Sequence, residues 1–150
     1  KALFRPCAMM IPSYRLIAEI SLYSYGFEDT RACATKLVQC LSLSSEQLSS
    51  QDHYDFGMRT VKSIILAAGN LKRELPDERE QGLTLQAVSH VNLPKFTSED
   101  RDLFKSILSD LFPETAMPEE ANDLLLELLE DECVDAQLQP RPAFLAKCIE

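Results

Sequence analysis

Apolar residues recur at helical spacing along most of this chain. The first such pattern covers residues 13–25 and ends at Gly26, a natural residue for a helix C-terminus. One face of this segment consists of Leu16, Ile17, Ile20, Tyr23 and Ser24. The spacing predicts a first helix over 13–25, after a short extended piece at 6–11.

Two further helices follow before the middle of the chain. Glu28 and Asp29 place carboxylates in the first turn of the second helix, which fades at 42–45. Its inward stripe consists of Cys33, Leu37, Val38 and Leu41. The third helix is expected to begin near Asp55, with Asp52 and Asp55 as candidate N-caps. Its stripe consists of Val61, Ile64, Ile65, Ala68 and Leu71.

The rest of the chain continues the helical pattern. After a break at Pro76 and Asp77, a weaker helix with Leu83, Ala87, Val88 and Val91 ends at Pro94. Thr97 and Asp100 resemble a capping box, and the helix behind them ends before Pro113; its packing residues are Leu103, Phe104, Ile107, Leu108 and Leu111. Another helix is predicted at 119–133, with its leucines inside, and a last one after Pro140 and Pro142.

Charge is spread unevenly over the 150 residues, whose net charge is −9. Residues 1–75 hold nine basic and seven acidic side chains, whereas residues 98–135 hold two basic and thirteen acidic ones. This asymmetry is consistent with parts of two structural units. The acidic half argues against nucleic-acid binding, which requires clustered Lys and Arg.

The number and spacing of cysteines and histidines limit the metal sites and disulfides that the chain could form. The five cysteines show no CxxC spacing and there are two histidines, which argues against a structural zinc site. Reduced core cysteines of an intracellular protein are the favoured interpretation, with disulfides as the alternative. No stretch approaches the roughly 20 apolar residues that span a bilayer. The chain lacks an initial Met and stops within a helical pattern, which indicates a piece of a longer protein.

Arg59 stands out electrostatically. It falls in the expected first turn of the third helix, where the positive end of the helix dipole disfavours a cation. An anion such as a phosphate within reach would reverse this preference. The alternative is an exposed surface arginine. Arg59 is therefore a candidate anion-binding residue.

A complete catalytic site is not visible in the sequence. There is no GxxxxGK[ST] loop and no apolar run ending in paired acids. No Ser/His/Asp, Cys/His or paired-carboxylate arrangement stands out either. We expect the chain to be inactive by itself.

Several strings, in order, resemble a dynein heavy chain, from the end of its first AAA+ module into its second. They are KALFRPCAMM, YRLIAEISLYSYGF, SSEQLSSQDHYDFGMRTVKSIILAAGNLKRE, VNLPKF and LFKSILSDLFP. The first strings look more like axonemal than cytoplasmic dyneins. The resemblance covers essentially the whole chain.

The resemblance implies a mainly α fold with a short strand near the N-terminus. Residues 1–11 would be the tail of the first module's large subdomain, and residues 12–96 its helical small subdomain, or lid. Residues 97–150 would be the N-terminal helices of the second module.

Two arginines acquire roles from the resemblance. Arg59, in HYDFGMR, is similar to the sensor-2 arginine, which reaches from the lid to the terminal phosphate of the nucleotide. Arg5, in ALFRP, resembles the arginine finger, which points at a neighbouring nucleotide site. Either guanidinium would stabilise charge that develops on the γ-phosphate oxygens. ATP or ADP with magnesium would bind to the parent chain and not to this piece alone.

The function implied is that of one part of an ATP-driven motor ring that moves towards microtubule minus ends in a cilium or flagellum. The piece would couple the nucleotide state of the first AAA+ site to ring movement. Its partners would be the neighbouring modules and, through the parent chain, the microtubule and the intermediate and light chains, with no nucleic acid or membrane. A helical interaction or scaffold module without a nucleotide role is the alternative.

Overall fold

All regular structure in the described part of the chain is helical. The computed structural model describes residues 5–113, 115 and 123–149. Its α-helices are α1 (Tyr14–Ser24), α2 (Thr30–Gln47), α3 (Met58–Glu74), α4 (Glu80–Asn92), α5 (Ser98–Leu111), α6 (Asp123–Asp135) and α7 (Pro142–Ile149). A 3-10 turn, Leu93–Lys95, follows α4. The predicted mainly α class is confirmed.

The chain divides into two compact units, Lys1–Ala116 and Met117–Glu150. In the first unit, α1 packs on α2 and α3, α3 packs on α4, and α2 contacts both α4 and α5. The largest fully buried side chains are those of Phe27, Phe104, Phe112, Leu22, Leu37, Ile64, Leu83, Leu85 and Leu108. They come from every helix of this unit, so a single apolar core joins the five helices.

Helix α1 begins and ends within one residue of its predicted limits, but a different face of the helix is buried. Ser13 is its N-cap and Gly26 follows its end with a φ of +86°, in the left-handed region that favours glycine. Its fully buried residues are Ala18 and Leu22. The predicted apolar face is instead mostly exposed, with exposed fractions of 55% for Leu16, 63% for Ile20 and 75% for Tyr23. The smaller Ala18 lets α1 approach its neighbours closely.

The close packing of α1 on α3 depends on Gly69. A Cβ added to this residue would lie 2.4 Å from Cδ1 of Tyr25, which follows α1. Atoms cannot approach so closely, so the absence of a side chain at Gly69 makes room for the ring. The guanidinium of Arg73, also on α3, lies 5.7 Å from the centre of the same ring.

The start of α2 is stabilised from another helix. Glu80, the first residue of α4, accepts hydrogen bonds from the amides of Glu28 (2.9 and 3.0 Å) and Asp29 (2.8 Å). Its Oε1 also lies 3.3 Å from Nζ of Lys72. Burial alone would raise the pKa of Glu80, but these amides and the ammonium lower it below its ordinary value. The prediction that Glu28 and Asp29 belong to the first turn is wrong, because α2 begins at Thr30.

The extended piece near the N-terminus forms no strand in the described residues. Residues 5–13 have no regular secondary structure, and residues 1–4 lie outside the described part. A strand needs a neighbouring strand for its backbone hydrogen bonds, and the described residues provide none.

The second unit contains α6 and α7, which contact one another. Helix α6 covers most of the predicted segment, whose positions 119–122 lie outside the described residues. The prediction that its leucines lie inside is wrong for Leu125 and Leu128, which are exposed. Among the described side chains of this unit, the buried ones are Cys133 and Leu145.

The five cysteines are free thiols with two kinds of surroundings. Cys33, Cys40 and Cys133 are buried, as predicted, whereas Cys7 and Cys148 are exposed. Burial raises the pKa of Cys33, and raises that of Cys40 to about 12. These two buried thiols therefore stay protonated and unreactive at neutral pH.

Candidate functional site

The candidate site lies at the beginning of α3. The helix starts at Met58, with Gly57 as an N-cap that offers no side-chain acceptor to the first amides. Arg59 is the second residue of the helix, and its side chain is exposed. The prediction of a first-turn arginine away from the apolar stripe is confirmed. The stripe itself is buried at Val61, Ile64, Ile65 and Ala68.

Neither aspartate predicted as a cap fulfils that role. Oδ1 of Asp55 accepts a hydrogen bond from the amide of Gly57, two residues along the chain, at 2.9 Å. The backbone oxygen of Asp55 accepts a hydrogen bond from the hydroxyl of Thr60 at 2.7 Å. The carboxylate of Asp55 therefore closes a short turn before the helix, and Gly57 takes the N-cap position. Asp52 is exposed in the turn before it. Asp55 thus shapes the loop directly before α3, and the first turn of the helix itself contains no acidic residue.

The loop before α3 is fixed to the start of α5. Asp100, on α5, accepts the amide of Ser49 at 3.1 Å and hydrogen bonds from the hydroxyls of Ser49, Tyr54 (2.7 Å) and Thr97 (3.1 Å). The hydroxyls of Ser49 and Tyr54 lower the pKa of Asp100 to about 2, and they outweigh the effect of burial. The carboxylate is therefore ionised at neutral pH.

The predicted capping box at the start of α5 is only partly correct. Helix α5 begins directly after Thr97, but the amide of Thr97 donates to the hydroxyl of Tyr54 at 3.0 Å and not to Asp100. Aspartate is shorter than the usual glutamate by one methylene, and Tyr54 provides the acceptor that it does not reach. Tyr54 lies 43 positions from Thr97, so no local pattern indicates this partner.

Aromatic rings pack around the same junction. The Tyr54 ring lies edge-on to those of His53, Phe56 and Phe96, at centroid distances of 4.7, 6.0 and 5.0 Å. The ring Nε2 of His53 is 2.9 Å from the backbone oxygen of Lys95. His53 and Tyr54 therefore hold the turn before α3 in place.

Arg5, the other predicted arginine, lies in the irregular segment 5–13 and is exposed. Within the described residues there is no group of three or more His, Cys, Asp or Glu side chains that could hold a metal ion. No helix in the described part of the chain is long and apolar enough to cross a membrane.

Comparisons with known proteins agree along the whole chain. A family model described as "Hydrolytic ATP binding site of dynein motor region" matches residues 1–150. The human proteins dynein axonemal heavy chain 1 and dynein axonemal heavy chain 3 are 52% and 53% identical to all 150 residues. Mouse dynein axonemal heavy chain 12 is 51% identical over the same span.

The chain spans only a small part of these relatives, namely 4% of each human protein and 5% of the mouse protein. It covers no region outside the one that the dynein motor model describes. With a match along its full length and about half of its residues identical to those of axonemal relatives, this chain belongs to the dynein heavy chain family.

Proposed function

We propose that this chain is part of the ATP-driven motor ring of an axonemal dynein heavy chain, in which Arg59 senses the terminal phosphate of a bound nucleotide. The observation that carries the proposal is the exposed guanidinium of Arg59 at a helix start whose N-cap, Gly57, supplies no side-chain acceptor. Amides and guanidinium together favour an anion at this position.

The site fits one end of a nucleotide and not all of it. Arg59 and the first amides of α3 suit phosphate oxygens, but the sequence has no glycine-rich phosphate loop. The cradle for the phosphates and the ligands for magnesium are therefore expected from other parts of the longer heavy chain. When ATP is bound there, Arg59 would stabilise negative charge on the γ-phosphate.

The arrangement of helices supports a role in transmitting the nucleotide state. Under this proposal residues 1–11 end the large subdomain of the first module, 12–96 form its lid, and 97–150 begin the second module. Helix α5 packs on α2 and is hydrogen-bonded through Asp100 to the loop before Arg59. Closure of the lid on ATP would then move the attached start of the second module.

Arg5 is proposed as an arginine finger for a neighbouring nucleotide site. Its exposed side chain is free to meet another module of the ring. The parent chain would act in a cilium or flagellum, on microtubules, together with intermediate and light chains. The axonemal names of its relatives support this setting.

The test of the proposal is Arg59→Ala in the complete heavy chain, with Lys62→Ala as the control. Lys62 is an exposed cation on the same helix, directly after its first turn. ATP turnover is expected to fall by about 10-fold or more for Arg59→Ala, in line with the loss of one charged transition-state contact, and to stay unchanged for Lys62→Ala. Equal turnover and equal microtubule stimulation in both variants would refute the sensing role.

A second measurement addresses the piece alone. Calorimetric titration of the 150-residue chain with ATP and magnesium is expected to show no tight binding, because the phosphate cradle is missing. A site of micromolar affinity would contradict this expectation.

A further inference from the structure

Asp100 brings together two segments that are far apart in the sequence. Its Oδ1 accepts the amide of Ser49, and its Oδ2 accepts the hydroxyls of Ser49, Tyr54 and Thr97. The residue is only 7% exposed. A buried carboxylate with four donors is held in one orientation, so the segment around Ser49 and Tyr54 is fixed to the first turn of α5.

Tyr54 is held from two sides at this junction. Its hydroxyl donates to Asp100 at 2.7 Å and accepts the amide of Thr97 at 3.0 Å. Its ring contacts His53, Phe56 and Phe96, and Phe96 in turn lies 4.7 Å from the ring of buried Phe104. The position of Tyr54 is therefore determined by α5 and by the core.

The constraint continues from Tyr54 to the first turn of α3. The next residue, Asp55, accepts the amide of Gly57 through its side chain and the hydroxyl of Thr60 through its backbone oxygen. Thr60 is buried, with an exposed fraction of 2%, and is the immediate neighbour of Arg59. A displacement of Tyr54 would consequently shift the turn that carries Arg59.

We infer that Tyr54 and Asp100 are positioning residues that hold the first turn of α3, and with it Arg59, in the orientation needed to meet a terminal phosphate. This inference rests on the proposed function of Arg59. In this role neither residue needs to touch the nucleotide. They act through the backbone of 54–60, and they make the placement of Arg59 dependent on the start of α5.

The first test uses Tyr54→Phe in the complete heavy chain. The substitution removes one oxygen atom and keeps the ring, so the apolar packing is preserved. We expect kcat/KM for ATP to fall by about 3- to 10-fold, as for the loss of a hydrogen bond that positions a catalytic group. Tyr23→Phe, which removes an exposed hydroxyl on α1, is the control and should leave turnover unchanged.

Asp100→Asn provides an independent second variant. It keeps the size of the side chain but removes the negative charge to which the three hydroxyls and the amide donate their hydrogen bonds. A fall of similar size in kcat/KM is expected, whereas Asp102→Asn, at an exposed position on α5, should have no effect. The thermal unfolding midpoint of each variant shows whether the motor remains folded.

A double-mutant cycle separates positioning from a general structural role. If Tyr54 acts through Arg59, Tyr54→Phe has little further effect on kcat/KM for ATP in the Arg59→Ala chain. The same fold-loss with and without Arg59 would overturn the inference. So would normal turnover of both Tyr54→Phe and Asp100→Asn while Arg59→Ala is impaired, a result that leaves the proposed function intact. Normal turnover of Arg59→Ala would overturn both.

Discussion

The side chains of Tyr54 and Asp100 are joined by a 2.7 Å hydrogen bond across 46 positions of sequence. Together with the hydroxyl of Ser49, this bond lowers the pKa of Asp100 from its ordinary 3.8 to about 2. The unfolded chain takes up a proton on this group at higher pH than the folded chain does. The stabilisation is therefore complete above about pH 4 and lost as pH falls from about 4 to about 2.

This difference predicts acid sensitivity that depends on Asp100. Urea unfolding of the 150-residue chain, followed from neutral pH down to about 2, should show the free energy of unfolding falling more steeply than in the Asp100→Asn variant. Other carboxylates titrate in both proteins, so the difference between the two curves isolates Asp100. Parallel curves would mean that the carboxylate is not held by its donors.

Gly69→Ala is expected to lower the free energy of unfolding by about 1 to 3 kcal/mol, because the new methyl group would overlap the Tyr25 ring. Gly82→Ala is the matched control on α4. Its nearest neighbour would be Cγ2 of Thr115 at an ordinary 3.5 Å, so the higher helix propensity of alanine should stabilise by about 0.5 to 1 kcal/mol. Thermal or urea unfolding should therefore show a lower free energy of unfolding for Gly69→Ala and a higher one for Gly82→Ala. An unchanged free energy of unfolding in Gly69→Ala would contradict this prediction, because the Tyr25 ring would then have moved aside without destabilising the fold.

Glu80→Gln is expected to lower the free energy of unfolding by about 1 to 3 kcal/mol, because the amides of Glu28 and Asp29 lose a charged acceptor and Lys72 loses its ion pair. Glu78→Gln, at an exposed position just before α4, should change it by less than about 0.5 kcal/mol. Hydrogen exchange of the amides of Glu28 and Asp29, directly before α2, should accelerate in Glu80→Gln alone. Equal exchange in the two variants would contradict the capping role of Glu80.

Arg59→Ala should not weaken the fold. The side chain is exposed and its charge opposes the helix dipole, so its removal is expected to raise the free energy of unfolding by about 0.3 to 1 kcal/mol at low salt. Lys62→Ala, further along α3, should have a smaller effect. A destabilised Arg59→Ala chain would mean that the arginine has a structural role.

Local patterns predicted the helices well, because each amphipathic stripe and terminator acts within a few residues. The end of α1 before Gly26 and the buried stripe of α3 are two examples. The orientation of α1 could not be read in this way, because the small residues Ala18 and Gly69 decide which face packs. A helical pattern of hydrophobic residues instead predicts that large apolar residues such as Ile20 face the core.

In the candidate site, too, local features could be predicted from the sequence and contacts between distant residues could not. Arg59 was visible as a cation in the wrong place on a helix, which is a local property. The bonds of Tyr54 to Asp100 and of Glu80 to Glu28 link residues 46 and 52 positions apart, and no pattern in a single sequence pairs such residues. Asp100 was expected to serve only its own helix, whereas it also fixes the loop before α3.

The carboxylate of Glu80 has a consequence for the order in which the chain is made. Synthesis proceeds from the N-terminus, so the amides of Glu28 and Asp29 exist well before the residue that they bind. A nascent chain that has not reached α4 has only water to satisfy these donors, and the beginning of α2 can fray. The residues that lead into α2 therefore gain these hydrogen bonds only after Glu80, at the start of α4, has been translated.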